Sequence, residues 1–396
     1  MPTYARVDLA IVRGEGCWLF GGDGRRYLDF TSGIAVTALG HCHPHLVKAL
    51  QDQAATLWHC SNLFRIPGQE KLAERLVANT FADTVFFTNS GVEAMECSIK
   101  VVRKFHDDNG NPGRYRIITC SGAFHGRSLA TLAAGRQEKY LKGFEPMVEG
   151  FDQVAFGNLN EMRAAIHDDT AAILVEPIQG EGGVRAGSAD YLRALRQICD
   201  EFGLLLMYDE VQCGVGRTGK LFAHEWADGA AKPDVMAIAK GIGSGFPVGA
   251  CLTTERVAKG MTYGTHGTTF GGNPLAMAAA NAVLDVLLAP GFLEGVTARA
   301  KVFRQRLEAI AKRHPKAIAE VRGMGLLLGL RCVEPNTQMV DALRAEGMLA
   351  VGAGDNVVRI LPPLIATEAE LEQGAQIIER VAARLASAKP EKAGVA

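Results

Sequence analysis

The stretch "LLLMYDEVQCGVGRTGK", Leu204 to Lys220, runs five apolar or aromatic residues, Leu204–Tyr208, straight into two adjacent carboxylates, Asp209 and Glu210. An unbroken apolar run of that length reads as a strand buried on both faces. Acid at the end of such a strand calls for a positive partner from elsewhere in the chain. Outward from this point, short apolar runs recur at Val85–Phe87, Ile117–Thr119, Ala172–Val175 and Val235–Ala239, separated by helical periodicity. The clearest helix is Tyr191–Phe202, with Leu192, Leu195, Ile198 and Phe202 as its apolar stripe and Gly203 closing it. Strand and helix alternating in this way predict an α/β fold, a large domain with a mostly parallel sheet covered by helices on both faces.

The flanks differ. "CWLFGGDGRRYLDF" reads as a hairpin around Gly21–Gly24, and a helix follows from Pro44 with Leu46, Leu50, Ala54 and Leu57 on one face. After Pro290 come a long helix, a strand-like "GLLLGLRCV", a helix near Met339–Gly347 and "VVRILPPL". The expected division is residues 1–60 and 291–396 as the two parts of a smaller α/β domain built from both termini, with 61–290 as the large domain. The final "SAKPEKAGVA" reads as a frayed tail.

Composition excludes several classes. The chain has 42 basic and 43 acidic residues, net charge −1, and no block of like charge. Attraction to nucleic acid or to a membrane surface is therefore not expected. The N-terminus lacks the apolar core of a signal peptide, and Leu275–Ala289, interrupted by Asn281 and Asp285, is too short to span a bilayer. Nine cysteines, an odd number without a Cys-x-x-Cys pair, suit a reducing cytoplasmic compartment rather than a disulfide framework.

In open parallel sheets, ligands bind beyond the carboxyl ends of the strands. The segments following the runs are "TNSGVEA", "CSGAFHGR", "EPIQGEGG", "DEVQ" and "KGIGSGFPVGA". Lys240 follows a strand directly, and a lysine in apolar surroundings becomes a usable amine that can condense with an aldehyde. Asp209 could keep a heterocyclic nitrogen protonated, so that the ring stays an electron sink. Together they suggest pyridoxal phosphate as the missing positive partner. Ser90 and Gly91 precede a helix whose free N–H groups suit a phosphate. Phe124 could stack on a planar ring, and Arg127 could fork onto a carboxylate. Each has a plainer alternative: a helix cap or surface salt bridge for Asp209, a turn lysine for Lys240, an N-cap for Ser90, core for Phe124 and a solvated Arg127.

Two other patterns compete. Gly214–Lys220 spells G-x-x-x-x-G-K, but Leu221 stands where a P-loop nucleotide hydrolase needs Ser or Thr for its magnesium ion. "HCHPH" clusters His41, Cys42, His43 and His45 without a second group at metal-site spacing, and reads as a helix entry.

"VEPIQGEGG", "YDEVQCGVGRTGK", "AKGIGSGFPVGA" and "HGTTFGGNPLA" together resemble the class III, ornithine-type, pyridoxal-phosphate aminotransferases, over almost the whole chain. "GIAVTALGH", "CSNLFRIPGQEKLAERL" and "DNVVRILPPL" are most similar to the acetylornithine branch. The resemblance implies a fold-type I homodimer with active sites at the subunit interface. It implies Lys240 as the Schiff-base lysine, Asp209 as partner of the ring nitrogen, Gln212 near the ring hydroxyl, Phe124 on the ring face, and Glu210 and Val211 in the same cofactor-binding stretch. Ser90, Gly91 and Val92 would hold the phosphate, helped by Thr269 of the neighbouring subunit. Arg127, with Thr268 nearby, would bind the α-carboxylate of acetylornithine, and Arg359 that of glutamate or 2-oxoglutarate. Glu181 would mask Arg359 while the ω-amino substrate is bound. The implied reaction converts N2-acetyl-L-ornithine and 2-oxoglutarate to N-acetyl-L-glutamate 5-semialdehyde and L-glutamate, in arginine biosynthesis. Ornithine, succinylornithine, 4-aminobutyrate and succinyl-diaminopimelate remain alternative amino donors. Val92 for the usual Ala or Thr, Met95 for Asn and Thr268 for Ser depart from the family pattern.

Overall fold

The run that ends in acid is a strand, Leu205–Asp209, with all five residues buried. It lies at the centre of a seven-stranded sheet. In chain order the strands are β1 (Thr84–Thr88), β2 (Arg116–Cys120), β3 (Phe151–Val154), β4 (Thr170–Val175), β5 (Leu205–Asp209), β6 (Val235–Ile238) and β7 (Gly249–Thr253). They are arranged β1-β7-β6-β5-β4-β2-β3. β5 pairs in parallel with β4, Leu205 opposite Ala172, and with β6, Met207 opposite Val235. Only β7 runs antiparallel, between β6 and β1. The computed structural model describes residues 1–387; Ser387, the first residue of the expected tail, closes the helix Glu368–Ser387, and the rest of that tail lies outside the described residues.

The covering helices follow from local chemistry. Ser90 caps α1 (Gly91–Asp108) by accepting from the Glu93 N–H, and Ser188 does the same for α2 (Ala189–Phe202) through Tyr191 N–H. Such caps satisfy N–H groups that have no partner inside the helix. Gly203 ends α2 in the left-handed region at φ 62°, where a residue without Cβ carries no steric penalty. The two faces of the sheet have different cores. Leu206, Tyr208 and Met236 pack on one side with Leu192, Leu195 and Ile198 of α2. Leu205, Met207 and Ala237 pack on the other with Ile99 and Val102 of α1.

Both termini contribute to the rest. The hairpin appears as Trp18–Gly21 against Arg26–Asp29, and Met348–Leu349 joins its free edge in parallel. A second small sheet contains Ile318–Met324, Leu327–Cys332, Val357–Ile360 and Val351–Ala353, all antiparallel. The helix from Pro44 stops at Ala54; Leu46 is buried, but Ala54 and Leu57 are exposed, so the expected stripe ends early. Phe202, expected on the buried stripe of α2, is 39% exposed, because the helix turns its last residue to solvent before Gly203. β3 and β7 went unread in the sequence. β7 (Gly249–Thr253) opens on glycine, and no long apolar run marks it. All nine cysteines are free thiols. Among the described residues no single helix is long and apolar enough to cross a membrane.

Candidate active site

A cavity of about 460 Å³ opens at the carboxyl edge of the sheet. Its lining gathers residues from every segment read above: Ser90, Gly91 and Val92 after β1; Phe124, His125 and Arg127 after β2; Glu176 after β4; Asp209, Val211 and Gln212 from β5; Lys240 after β6. The order of the strands, not their spacing in sequence, brings them together.

Asp209 is 4% exposed at the end of β5. Its Oδ1 accepts from the Val211 N–H at 3.0 Å, and its Oδ2 faces His125 Nδ1 at 2.8 Å. The acid therefore has a hydrogen-bonding partner within the protein itself, an imidazole with no solvent-exposed side-chain surface. Burial opposes charge on His125, but the hydrogen bond to Asp209 and the charges of Asp209 and Glu176 outweigh it and hold the imidazole above its usual range. His125 Nε2 is buried without a partner.

Lys240 adopts φ 49°, a left-handed conformation that costs a residue with a side chain about 1–2 kcal/mol. Strain of this kind persists where the surrounding fold imposes it. Burial lowers the Lys240 amine below its ordinary range; the charges of Glu181 and Asp209 pull the other way, while Arg359 adds to the depression. The amine is thus easier to have in its neutral, nucleophilic form than a surface lysine.

At the other end of the cavity stands the first turn of α1. The N–H groups of Gly91 and Val92 have no acceptor inside the helix, and Ser90 adds a hydroxyl. Gly91 is required there, since a Cβ would lie 2.8 Å from Val211 Cγ1. A neutralisable amine, a buried acid and a helix N-terminus with a hydroxyl form a donor set that fits an aldehyde, a basic ring nitrogen and a phosphate. The residues present thus fit pyridoxal phosphate.

Arg359 and Glu181 sit outside this lining. Arg359, 1% exposed on the strand Val357–Ile360, donates through Nη1 to Glu181 Oε1 at 2.5 Å and to Gln212 Oε1 at 3.3 Å, and through Nη2 to Gly352 O at 3.1 Å. Its Nε has no partner. Arg127 is exposed, with its guanidinium 3.9 Å above the Tyr140 ring and 5.5 Å from that of Phe124. Two guanidinium groups of opposite exposure therefore flank the site, one of them already paired.

Some sequence expectations need correction. Glu210 does not face the cavity: its carboxylate accepts from Ala223 N–H and His224 N–H, at 2.7 and 2.8 Å, and pairs with His224 Nδ1. That carboxylate serves the fold beneath the site. Thr269, expected from the neighbouring subunit, is exposed in this chain, and Thr268 Oγ1 accepts from Gly271 N–H; neither lines this chain's own cavity, so a single chain leaves those two expectations open. The P-loop alternative fails: Gly214–Lys220 is a chain of turns followed by a short 3₁₀ segment, Ala223–Ala227, and Lys220 lies over Trp226. Arg217 in that stretch is buried and donates to Pro362 O and Leu326 O, so the segment ties the sheet to the C-terminal part. His41 pairs with Asp29 and His45 with Asp285, and neither lines the cavity. His125, Glu176 and Tyr140 escaped the sequence reading. The first two stand in the quoted rim segments "CSGAFHGR" and "EPIQGEGG"; Tyr140 carries no local signal.

A sheet in this order, with this set of groups on its carboxyl edge, defines a fold-type I pyridoxal-phosphate enzyme. Residues 2–382 match the family model Aminotransferase class-III, and the chain belongs to that family. The acetylornithine aminotransferase of Brucella melitensis is 62% identical over 388 residues, 98% of this chain and 96% of the relative. The N-acetylornithine aminotransferase of Stenotrophomonas maltophilia K279a superposes with a TM-score of 0.85 at 36% identity, covering 98% of each chain. The ornithine aminotransferase of Toxoplasma gondii, a structure with partial occupancy of PLP at its active site, gives a TM-score of 0.93 at 29% identity, covering 97% of this chain and 92% of the other.

Proposed function

We propose that this chain transfers the δ-amino group of N2-acetyl-L-ornithine to 2-oxoglutarate, giving N-acetyl-L-glutamate 5-semialdehyde and L-glutamate, a step of arginine biosynthesis. Identity of 62% to a relative of that name supports the substrate. The observation that carries the reading is the pair of carboxylate anchors, an exposed Arg127 and a buried Arg359 that Glu181 already neutralises. One site must accept an acylated ω-amine and an α-amino acid in turn, and a maskable second arginine suits that alternation.

The cofactor is pyridoxal 5′-phosphate, the group class-III aminotransferases use; when bound, it supplies an aldehyde to receive the amino group and a ring to spread negative charge. Lys240 Nζ would carry the proton between the amine-bearing carbon of the substrate and the cofactor's aldehyde carbon, as general base and then acid. Asp209, fixed between Val211 N–H and His125, keeps a ring nitrogen protonated. Phe124 would cover one face of the ring, and Gln212 would serve the ring hydroxyl; both line the cavity. Ser90 with the N–H groups of Gly91 and Val92 would hold the phosphate, with Thr269 of the partner subunit completing the site. Arg127, with Thr268, takes the α-carboxylate of acetylornithine; Arg359 takes that of glutamate or 2-oxoglutarate once Glu181 releases it.

The same reading makes the enzyme a cytoplasmic homodimer. It divides the chain into 1–60 and 291–396 as a small domain and 61–290 as the cofactor domain. Nine free thiols support a reducing compartment. Exposed Leu57, Trp58, Leu63, Phe64 and Phe270 support self-association. The test is a steady-state assay with N-acetylornithine, ornithine and 4-aminobutyrate at matched concentrations. The expected result is the highest kcat/KM with N-acetylornithine; a higher value with either other amine overturns the substrate assignment.

A further inference from the structure

One buried carboxyl group in the cavity has no part in the scheme above. Glu176 follows β4 directly, is 4% exposed and lines the cavity. Its two oxygens accept from two different segments. Oε1 accepts from the Phe124 N–H at 2.8 Å, and Oε2 accepts from the Gly180 N–H at 3.3 Å. The first segment carries the ring-covering Phe124, and the second carries Glu181, the residue after Gly180. Gly180 has no room for a side chain: a Cβ there would fall 1.9 Å from Gln212 Oε1, so the backbone passes directly against that amide. On its far side Glu181 is fixed by its own carbonyl, which accepts from the Gly354 N–H at 2.8 Å. The side chain of Glu181 is thus hung between two backbone anchors, one of them supplied by Glu176.

We propose that Glu176 is a positioning residue that ties the ring-covering Phe124 and the Glu181 mask to one buried carboxyl group, so that choice between the two amino substrates depends on a side chain that binds neither. The inference rests on the reading of Glu181 as the mask of Arg359. A side chain that must cover Arg359 for one substrate and leave it for the other needs a fixed point to swing from. Without the Gly180 anchor the mask is less well held, Arg359 is uncovered more of the time, and α-carboxylates gain at the expense of acetylornithine. Burial and the nearby charge of Asp209 push the Glu176 carboxyl up to about 8, against the pull of His125 and the two N–H donors. Retaining an ionisable group at such cost is expected where its acceptor atoms are needed.

Glu176→Gln tests this. One amide oxygen can still accept, but the –NH₂ meets the other N–H donor to donor. The expected result is a shift of the acetylornithine-to-glutamate preference in half-reaction kcat/KM toward glutamate by about tenfold, the size of one lost buried hydrogen bond. It should appear mainly in KM. Visible circular dichroism of bound pyridoxal phosphate should weaken as Phe124 loosens, independently of turnover. Because the tie acts through Glu181, adding Glu176→Gln to Glu181→Ala should shift the preference no further. An equal shift in both backgrounds, or no shift in the single variant, overturns the proposal. If Glu181→Ala alone leaves the preference unchanged, the mask itself is wrong, which is a different failure and removes this inference with it. Should Glu176→Gln not fold, hydrogen exchange in the native holoenzyme decides: a slow Gly180 amide supports the tie, and a fast one overturns it.

Discussion

Asp209 gains its environment from His125, a residue 84 positions earlier in the chain. That pair makes a pH prediction. The folded imidazole is held above its usual value, mainly by Asp209 against burial. A histidine raised on folding contributes stability that is fully present below the unfolded value, about 6.5, and is lost as pH rises through the folded value. In thermal melts of cofactor-free protein, His125→Asn should therefore fall below the parent most at pH 6, with the gap narrowing toward pH 9. Glu176 titrates in the same window, so the informative quantity is the difference between the two proteins. A gap that stays constant or widens with pH would refute the charged pair.

Elements here end where local chemistry dictates, and the end of α2 can be tested alone. Gly203 holds φ 62°, its N–H donates to Cys199 O, and a Cβ there would meet only Arg114 Nη1 at 3.7 Å. Space is available, so Gly203→Ala isolates backbone strain. The expected cost is about 1 kcal/mol of stability, with kcat and KM unchanged, measured by denaturant titration. Lys240 adopts a similar φ for the opposite reason. It is held there by the turn Lys240–Ile242 after β6, so that its amine projects into the cavity rather than continuing the strand.

At the scale of the molecule, several of the exposed apolar residues gather on one surface. Asn62 donates to Thr268 O and Gly271 O, and His59 packs against Phe270, so the segments around 57–64 and 262–272 form one surface. It carries Trp58, Leu63, Phe64 and Phe270, each at least 60% exposed, beside Thr268 and Thr269. Burial of aromatic anchors of this kind contributes upward of ~2 kcal/mol apiece to a dimer. Phe64→Glu should shift the protein to single chains in sedimentation velocity and lower its affinity for pyridoxal phosphate together with it. A parent that sediments as one chain at micromolar concentration would exclude the shared site.

Five strands of the sheet were legible because each carries a short apolar run and helices separate them; β3, parallel to β2 but only half buried, offers no such run. The amine, the acid, the stacking ring and the phosphate turn were legible for a related reason: each stands at the end of a strand, where open sheets bind ligands. What the sequence could not express is adjacency. β7 is led by glycine, and its place between β1 and β6 comes from hydrogen bonds to both neighbours. His125 could be ring, core or ligand until β2 and β5 brought it to Asp209. Glu210, just past the end of β5, still bonds through its N–H to Ala237 O of β6, so the alternation of the strand carries one residue further and turns its side chain the other way. The residues by themselves determined the chemistry available to this protein. Only the tertiary structure decided which groups meet, because pairing across a sheet and burial of charge depend on distances that chain order does not encode.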